Sequence, residues 1–500
     1  LPPDSGFCFC AVCKALDPAS GTKTVLRWDA GDYEWVSLSD RQAFFWNSLA
    51  AQLGGDRFLF VRAAGAYRAP PTYVKLPPQL ALRLGGFSYA NERLRESCRA
   101  DLKGWQEAGA TTLLELKPFE AGHGMPLMFA RRLAADLKLC GAGGSLGVDL
   151  GAMPQHWATQ GLNYYVAAKL ASDPDLDVNG LLDEYCQAGF GRAGAAVKKY
   201  LVRLEALTND VAAKGLSDSQ NELLPILAGQ FTPEVIAECE GQLDEAARLA
   251  AKESEPVKAR LAFLRQGLRY AALQAVALRA AARYNESAEG LNDVLAAAKP
   301  RAEFYADAKN GWAVNAPLLQ RAETNPRCSA LFGGTLEREL SPYELLATLP
   351  AKWKFKTDPD VLGEREGWHR PDFDDIAWRR LAVSKPWEQQ GFADYDGVAW
   401  YRVTFEVPAE HCGKNVLLRF GAVDESAWVY VNGRLAGKRL FAERDDWLRP
   451  FEVNVGDLLR YGMENVLAVR VQDRGGAGGL WKLVWLVTGA SRNESVQNEK

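Results

Sequence analysis

Histidine is scarce, four in 500 residues, so each one has to be accounted for. No run of about eighteen apolar residues occurs, which excludes a membrane-spanning helix. Charge of one sign is also lacking: 59 Lys and Arg face 63 Asp and Glu, a formal net charge of -4. With no basic surplus, neither nucleic acid nor an acidic lipid surface is an expected partner. Nine cysteines cannot all pair, and six of them (Cys98, Cys140, Cys186, Cys239, Cys328, Cys412) stand singly, so a disulfide framework is excluded. The glycine loop Asp473 to Lys482 has no lysine-serine ending and no helix after it, which rules against a phosphate cradle. A methionine, a charged leader and an apolar signal stretch are all missing from the start. The expectation is therefore the C-terminal part of a longer protein, extracellular or periplasmic if the preceding part carries a secretion signal. Nothing in the sequence speaks to oligomeric state.

What is present is aromatic and thiol-rich. Fifteen tryptophans and sixteen tyrosines supply flat rings of the kind that grip sugar faces, or that large cores simply bury; both readings stand. Cys8, Cys10 and Cys13 fall within six residues, just after Asp4 and Gly6. That spacing offers three thiolates to a structural Zn²⁺, a local disulfide, or reduced packed thiols. No organic cofactor is called for.

Five hundred residues imply several domains. Residues 1–171 alternate helical patterns (39–53, 92–108, 127–139) with short apolar runs (57–61, 111–116, 146–149). Such alternation predicts βαβ units and a parallel sheet, about three strands plus a stub at Leu1, consistent with the C-terminal half of a (β/α) barrel. Residues 172–322 are rich in Ala, Leu, Arg and Glu and predict an α-helical domain, with no His or Cys pair at i, i+4. Residues 323–351, with Pro326, Gly333-Gly334, Pro342 and Pro350, read as a linker. From 352 to 490 the period becomes two, as in Tyr401, Val403, Phe405 and Val407, and Asn432-Gly433 marks a tight hairpin; a β-sandwich follows, with a tail at 491–500.

The sandwich stretch carries Trp368-His369-Arg370-Pro371-Asp372-Phe373-Asp374-Asp375-Ile376-Ala377-Trp378, Asp396-Gly397-Val398-Ala399-Trp400-Tyr401-Arg402 and Val429-Tyr430-Val431-Asn432-Gly433. In order and spacing it resembles the galactose-binding-like, sugar-binding jelly roll of family 2 glycoside hydrolases. The segments Asp4 to Cys13, Gly122-His123-Gly124-Met125-Pro126 and His156 to Tyr165 are similar to an uncharacterised barrel family distantly related to α-glucuronidases and hexosaminidases. These resemblances imply a multidomain glycosidase-like architecture acting on carbohydrate, and no settled catalytic pair.

In (β/α) barrels the working residues sit at the C-terminal ends of the strands. Glycosidic hydrolysis takes two carboxyl groups about 5 to 10 Å apart, and the acids at those predicted ends are Asp4, Glu115, Glu120 and Asp149. Lys117, two residues beyond Glu115, is the expected charge partner of Glu115. His123, between two glycines, and His156 are expected to bond sugar hydroxyls, with Trp157, Tyr67 or Trp105 as the stacking surface. The expected function is glycoside hydrolysis of a polysaccharide or glycoconjugate; the alternative is a non-catalytic carbohydrate-binding or scaffold protein.

Overall fold

The computed structural model describes residues 8, 10–17, 23–28, 31–53, 57–116, 119, 121–142, 145–151, 153–214, 220–307, 311–392, 395–443 and 445–489. Two compact units emerge. One comprises the chain up to Arg279 and Pro300–Ala322; the other comprises Ala280–Lys299 and the chain from Glu323 onward, with Asp29–Gly31.

The first unit opens with a single helical turn, α1 (Ala11–Lys14), and a two-stranded pair, β1 (Lys23–Trp28) and β2 (Gly31–Val36). Helix α2 (Ser39–Ala50) leads into a parallel sheet of β3 (Leu59–Ala63), β4 (Leu80–Gly85), β5 (Thr111–Glu115) and β6 (Gly147–Asp149), in that spatial order. Helices α3 (Glu92–Glu107) and α4 (Ala130–Ala142) make the crossovers from β4 to β5 and from β5 to β6. Leu80, Leu82, Leu84, Thr112 and Leu114 share one sealed face, as expected where helices cover a parallel sheet. The alternate positions Phe60, Arg62, Arg83, Glu115 and Asp149 share the other face, where Phe60 is 67% exposed.

Buried carboxylates tie this unit together. Asp40, on the first turn of α2, accepts the backbone N–H groups of Thr72, Tyr73 and Val74 at 2.8 to 3.0 Å and so fixes the irregular β3–β4 connection. Asp136 on α4, with no exposed surface, takes Arg95 of α3 on both oxygens (2.9 and 3.1 Å) and Arg99 on one (2.8 Å).

Helices then dominate: α5 (Trp157–Ser172), α6 (Val178–Phe190), α7 (Gly194–Ala213), α8 (Gln220–Gln230), α9 (Pro233–Leu249), the long α10 (Glu255–Ser287), α11 (Leu291–Ala306), α12 (Ala316–Glu323) and α13 (Gly333–Leu340). Three begin with side-chain caps that satisfy free N–H groups: Asp177 accepts from Asn179 and Gly180, Thr232 from Val235, and Asn315 from Leu318.

The second unit is an antiparallel β-sandwich. A six-stranded sheet runs β14 (Arg434–Arg439), β13 (Ser426–Val431), β16 (Glu464–Asp473), β10 (Gly397–Glu406), β8 (Lys352–Thr357), β9 (Arg379–Ala382). A four-stranded sheet runs β15 (Phe451–Asn454), β11 (Val416–Phe420), β18 (Val484–Thr488), β7 (Glu344–Thr348), and β12 (Val423–Asp424) pairs with β17 (Gly479–Leu480). Trp353, Phe355, Tyr401, Val469, Leu418 and Leu486 lie in the common core. The hairpin forms as expected: Val431 pairs with Arg434, and Asn432 (φ 51°) and Gly433 (φ 84°) occupy the left-handed turn.

The fold differs from the sequence reading in three places. The sheet contains β4, which the sequence reading omits, because Pro77-Pro78 and Gly85-Gly86 frame it like a loop. The 323–351 segment is more than a linker. It holds α13 and β7, and Thr348 bonds Tyr284, whose hydroxyl also receives the Trp485 indole N–H at 2.8 Å; its prolines and glycines punctuate short elements. The outward face of β10 is also covered. Trp400 and Arg402 are buried beneath the 358–378 segment, where Asp358 accepts the Trp400 indole N–H at 2.9 Å and Trp368 and Trp378 complete a second core. The aromatic motif that carried the jelly-roll resemblance therefore packs.

Replacing Asp136 with Ala should cost about 3–5 kcal/mol, because Arg95, 4% exposed, is left as an uncompensated buried charge; Asp136→Asn should cost less. Urea denaturation checks both. A loss below about 1 kcal/mol for the alanine variant would show that this ion pair does not hold α3 to α4.

Candidate functional site

Parallel pairing places the last residues of β5 and β6 side by side. Glu115 is in register with Asp149, and Gly85 with Glu115. A Cβ at Gly85 would stand 3.3 Å from the Glu115 carboxylate, so the glycine leaves room for this side chain at the strand end. Glu115 is 3% exposed, and its Oε2 lies 3.1 Å from both Arg62 Nη2 and Arg83 Nε. Arg83 reaches across to Asp149 Oδ2 at 2.5 Å, and Asp149 Oδ1 accepts the Gly151 N–H at 2.8 Å. Arg62 and Asp149 keep open surface, 60% and 37%. The result is an alternating row of two acids and two guanidiniums along the C-terminal edge of the sheet.

Among the described residues the charge partners of Glu115 are Arg62 and Arg83. Lys117, Asp4 and Glu120 lie outside the described residues. Only register could have revealed the arginines, which are far from Glu115 in sequence.

The two histidines come together elsewhere in this unit. His123 takes a left-handed φ of 47° between Gly122 (81°) and Gly124 (74°), and its carbonyl accepts the Tyr270 hydroxyl at 2.7 Å. His156, 3% exposed, accepts the Asn315 backbone N–H on Nδ1 at 3.1 Å. That bond leaves the proton of the neutral ring on Nε2 as a donor. Burial pushes the His156 imidazole down to about 4, with the neighbouring His123 adding to the effect. Both rings are more enclosed than a ligand-facing loop implies, at 8% and 3% exposure.

Trp157, first residue of α5, is 40% exposed and meets Tyr164 edge-on at 5.0 Å. Tyr67 is half-buried in the turn Gly65–Tyr67 after β3, edge-on to Trp46 at 6.0 Å. Trp105 is not a stacking surface: it is fully buried, and its indole N–H donates to the Arg68 carbonyl at 2.9 Å. The sequence reading overlooked Trp312, 70% exposed. Its neighbour Ala313 accepts the Ala158 N–H at 3.1 Å, which ties the backbone next to Trp312 to the first turn of α5. Its signal, a tryptophan flanked by Gly311 and small residues, lay in a stretch read only as helical packing.

The thiols of Cys8, Cys10 and Cys13 all lie within 4.8 Å of one another. The Cys13 backbone N–H and the Cys8 and Cys13 thiols draw Cys10 down to about 7; hydrogen bonding to Cys10 and Cys8 pushes Cys13 up to about 11.

The sandwich holds an acidic group that the sequence reading did not assemble. Asp424, Glu425 and Asp473 bring carboxylate oxygens within 4.8 Å of one another. Nearby, Glu388 accepts the Gly478 N–H on both oxygens at 3.0 Å. Burial, reinforced by the neighbouring acids, raises Asp424 to about 8; Glu388 rises to about 8 chiefly by burial, and Asp473 to about 6.

Residues 3–202 match the family model described as "Domain of unknown function (DUF4838)", and residues 362–477 match "Beta-galactosidase second all-beta domain". The chain thus joins a DUF4838 domain to a β-galactosidase-type all-β domain. No curated protein matches it. Similar solved structures include a Lactobacillus rhamnosus β-glucuronidase, 24% identical over 29% of this chain and 28% of that one with a TM-score of 0.26. A Ruminococcus gnavus β-glucuronidase in complex with a C6-substituted uronic isofagomine is 22% identical over 30% of each chain, TM-score 0.27. The chain spans less than a third of the length of these structures. Among the described residues no helix is long and apolar enough to cross a membrane.

Two stability outcomes follow from the titrations. A depressed His156 means that the unfolded chain takes up a proton first as pH falls, so the stabilisation is complete above about 6.5 and is lost on the way down to about 4. Between pH 7 and pH 4, His156→Gln should remove about 3 kcal/mol of the wild-type decline in urea-unfolding free energy; parallel profiles would refute this. A raised Asp424 has the opposite sign: its stabilisation is complete below about 3.8 and is lost as pH rises through about 8. Asp424→Asn should therefore raise the melting temperature at pH 8–9 and leave it unchanged near pH 4. Equal shifts at both pH values would contradict the assignment.

Proposed function

We propose that this chain contributes the acid-bearing rim of a glycoside hydrolase acting on a polysaccharide or glycoconjugate. The observation that carries the reading is the in-register placement of Glu115 and Asp149 on adjacent parallel strands. Neighbouring strands are about 4.8 Å apart, so both carboxylates fall within the roughly 10 Å across which a glycosidic bond is flanked. Glu115, sealed between two guanidiniums, suits the charge-bearing role of nucleophile or electrostatic stabiliser. Asp149, with open surface, suits proton transfer or water activation. Asp4 and Glu120 belong to the same proposed rim, with Lys117 as a polar neighbour.

Substrate contact falls to Trp157, with Tyr67, His123 and His156 as the remaining proposed contacts; the exposed Trp312 is a further ring available to a ligand. In this reading the parallel sheet is part of a (β/α) barrel, and the sandwich is an accessory jelly roll of the galactose-binding type. The match of residues 362–477 to a β-galactosidase domain supports that assignment. The chemistry needs no organic cofactor.

A second reading has its own support. Glu115 is enclosed by two arginines and almost without exposed surface, as in a structural ion-pair row. A carbohydrate-binding or scaffold protein would keep that row and the exposed tryptophans without turnover.

Release of p-nitrophenol or reducing sugar from a glycoside panel separates the two. Turnover by the wild type should fall by about 10²–10⁴-fold in Glu115→Gln and in Asp149→Asn, and Trp157→Ala should weaken binding by roughly tenfold. Full activity in both carboxyl variants would remove the catalytic reading; glycan binding without turnover would select the second.

A further inference from the structure

The thiol triad differs in chemistry from the carboxylate row, and its surroundings are those of a prepared ligand set. Three sulfur atoms already lie within 4.8 Å of one another. Around a tetrahedral zinc, with Zn–S about 2.3 Å, neighbouring sulfurs stand roughly 3.8 Å apart. A contraction of about one ångström or less, by rotation of the exposed Cys8 and Cys10 side chains toward half-buried Cys13, reaches that figure. A disulfide would use only two sulfurs and draw them to about 2.05 Å, stranding the third.

The backbone that presents the triad is anchored at both ends from the body of the first unit. Arg41 of α2, itself buried, donates from Nη1 to the Cys8 carbonyl at 2.5 Å and grips Asp17 on both oxygens at 3.0 and 2.5 Å. Tyr73 donates its hydroxyl to the Leu16 carbonyl at 2.5 Å. Between these anchors α1 turns Cys13 back toward Cys10, with the Lys14 N–H donating to the Cys10 carbonyl at 2.9 Å. One side chain thus holds both flanks of the thiol loop, so most of the cost of ordering the three ligands is met before any metal arrives.

We propose that Cys8, Cys10 and Cys13 bind one zinc ion through three thiolates, with the fourth position held by water. Binding forms three Zn–S bonds and releases to solvent the protons of whichever thiols were still protonated; no electron changes hands. Thiolate sulfur selects zinc over magnesium or calcium, which prefer oxygen. The ion serves as a clasp on the 8–17 segment, and the assignment does not depend on any glycosidase activity.

Elemental analysis of reduced protein purified without chelator should find a single zinc per chain. Cys8→Ser, Cys10→Ser and Cys13→Ser should each lose it, whereas Cys412→Ser, at an exposed cysteine elsewhere, should retain it. Because zinc can be stripped during purification and a variant can misfold, metal-free wild type is also titrated with Cd²⁺. Its sulfur-to-metal absorption should rise to a plateau at one equivalent, with circular dichroism confirming folded protein. The same titration of a folded triad variant should give a weaker band without that plateau. No zinc together with no such band in reduced wild type overturns the proposal, as does retention of zinc by all three triad variants. Peptide mapping that finds two of the three cysteines joined in the freshly isolated protein also overturns it.

Discussion

The arrangement of the first unit depends on the parallel ladder between β5 and β6. The register of that ladder sets Glu115 next to Asp149, and a slip of one residue between the two strands would turn one of the carboxylates to the opposite face of the sheet. The ladder brings β4 into the same register, so Arg83 lies between the two acids and Arg62 lies beyond Glu115. Like charges on one face of a sheet repel; interleaving cations makes the row stable, and the same interleaving decides what chemistry the acids can offer. The tension between the catalytic and the scaffold readings is therefore physical: the ion pairs that hold the carboxylates in place also occupy them.

Most of the architecture was legible because its signals were local. Helices α2 and α3 follow apolar periodicity, α7, α9 and α10 fall in the stretch whose Ala, Leu, Arg and Glu content favours helix, and the hairpin at Asn432-Gly433 follows from two residues that tolerate left-handed backbone. Strand β4 was hidden because prolines and glycines at its ends mimic a loop. The placement of Glu115 and Asp149 at strand ends could be argued from the pattern, but their guanidinium partners could not, since Arg62 and Arg83 meet them only through register. The same limit hid the acidic group of the sandwich, because Asp473 at the end of β16 meets Asp424-Glu425 at the end of β12 only in the folded chain.

Aromatic residues show a further limit of composition. Trp368, Trp378 and Trp400 sit in a motif that invites a sugar-binding role, yet they build a second layer of core over β10, with Asp358 and Asp375 satisfying the polar atoms that go down with them. Among the described residues Trp157 and Trp312 remain open to solvent; Trp157 was expected from its place beside His156, whereas Trp312 lay in a stretch whose composition pointed only to helical packing. Burial separates the two roles, and burial depends on which loop folds over which strand.

That division separates two classes of indole by their optical behaviour. Trp105 of the first unit and Trp353, Trp387 and Trp400 of the sandwich are without exposed surface, whereas Trp157 and Trp312 face solvent. The enclosed rings are expected to emit toward the blue and to be shielded from dissolved iodide, and the two open rings to emit at longer wavelength and to be quenched first. Iodide quenching therefore reports on the open rings before it reaches the packed ones.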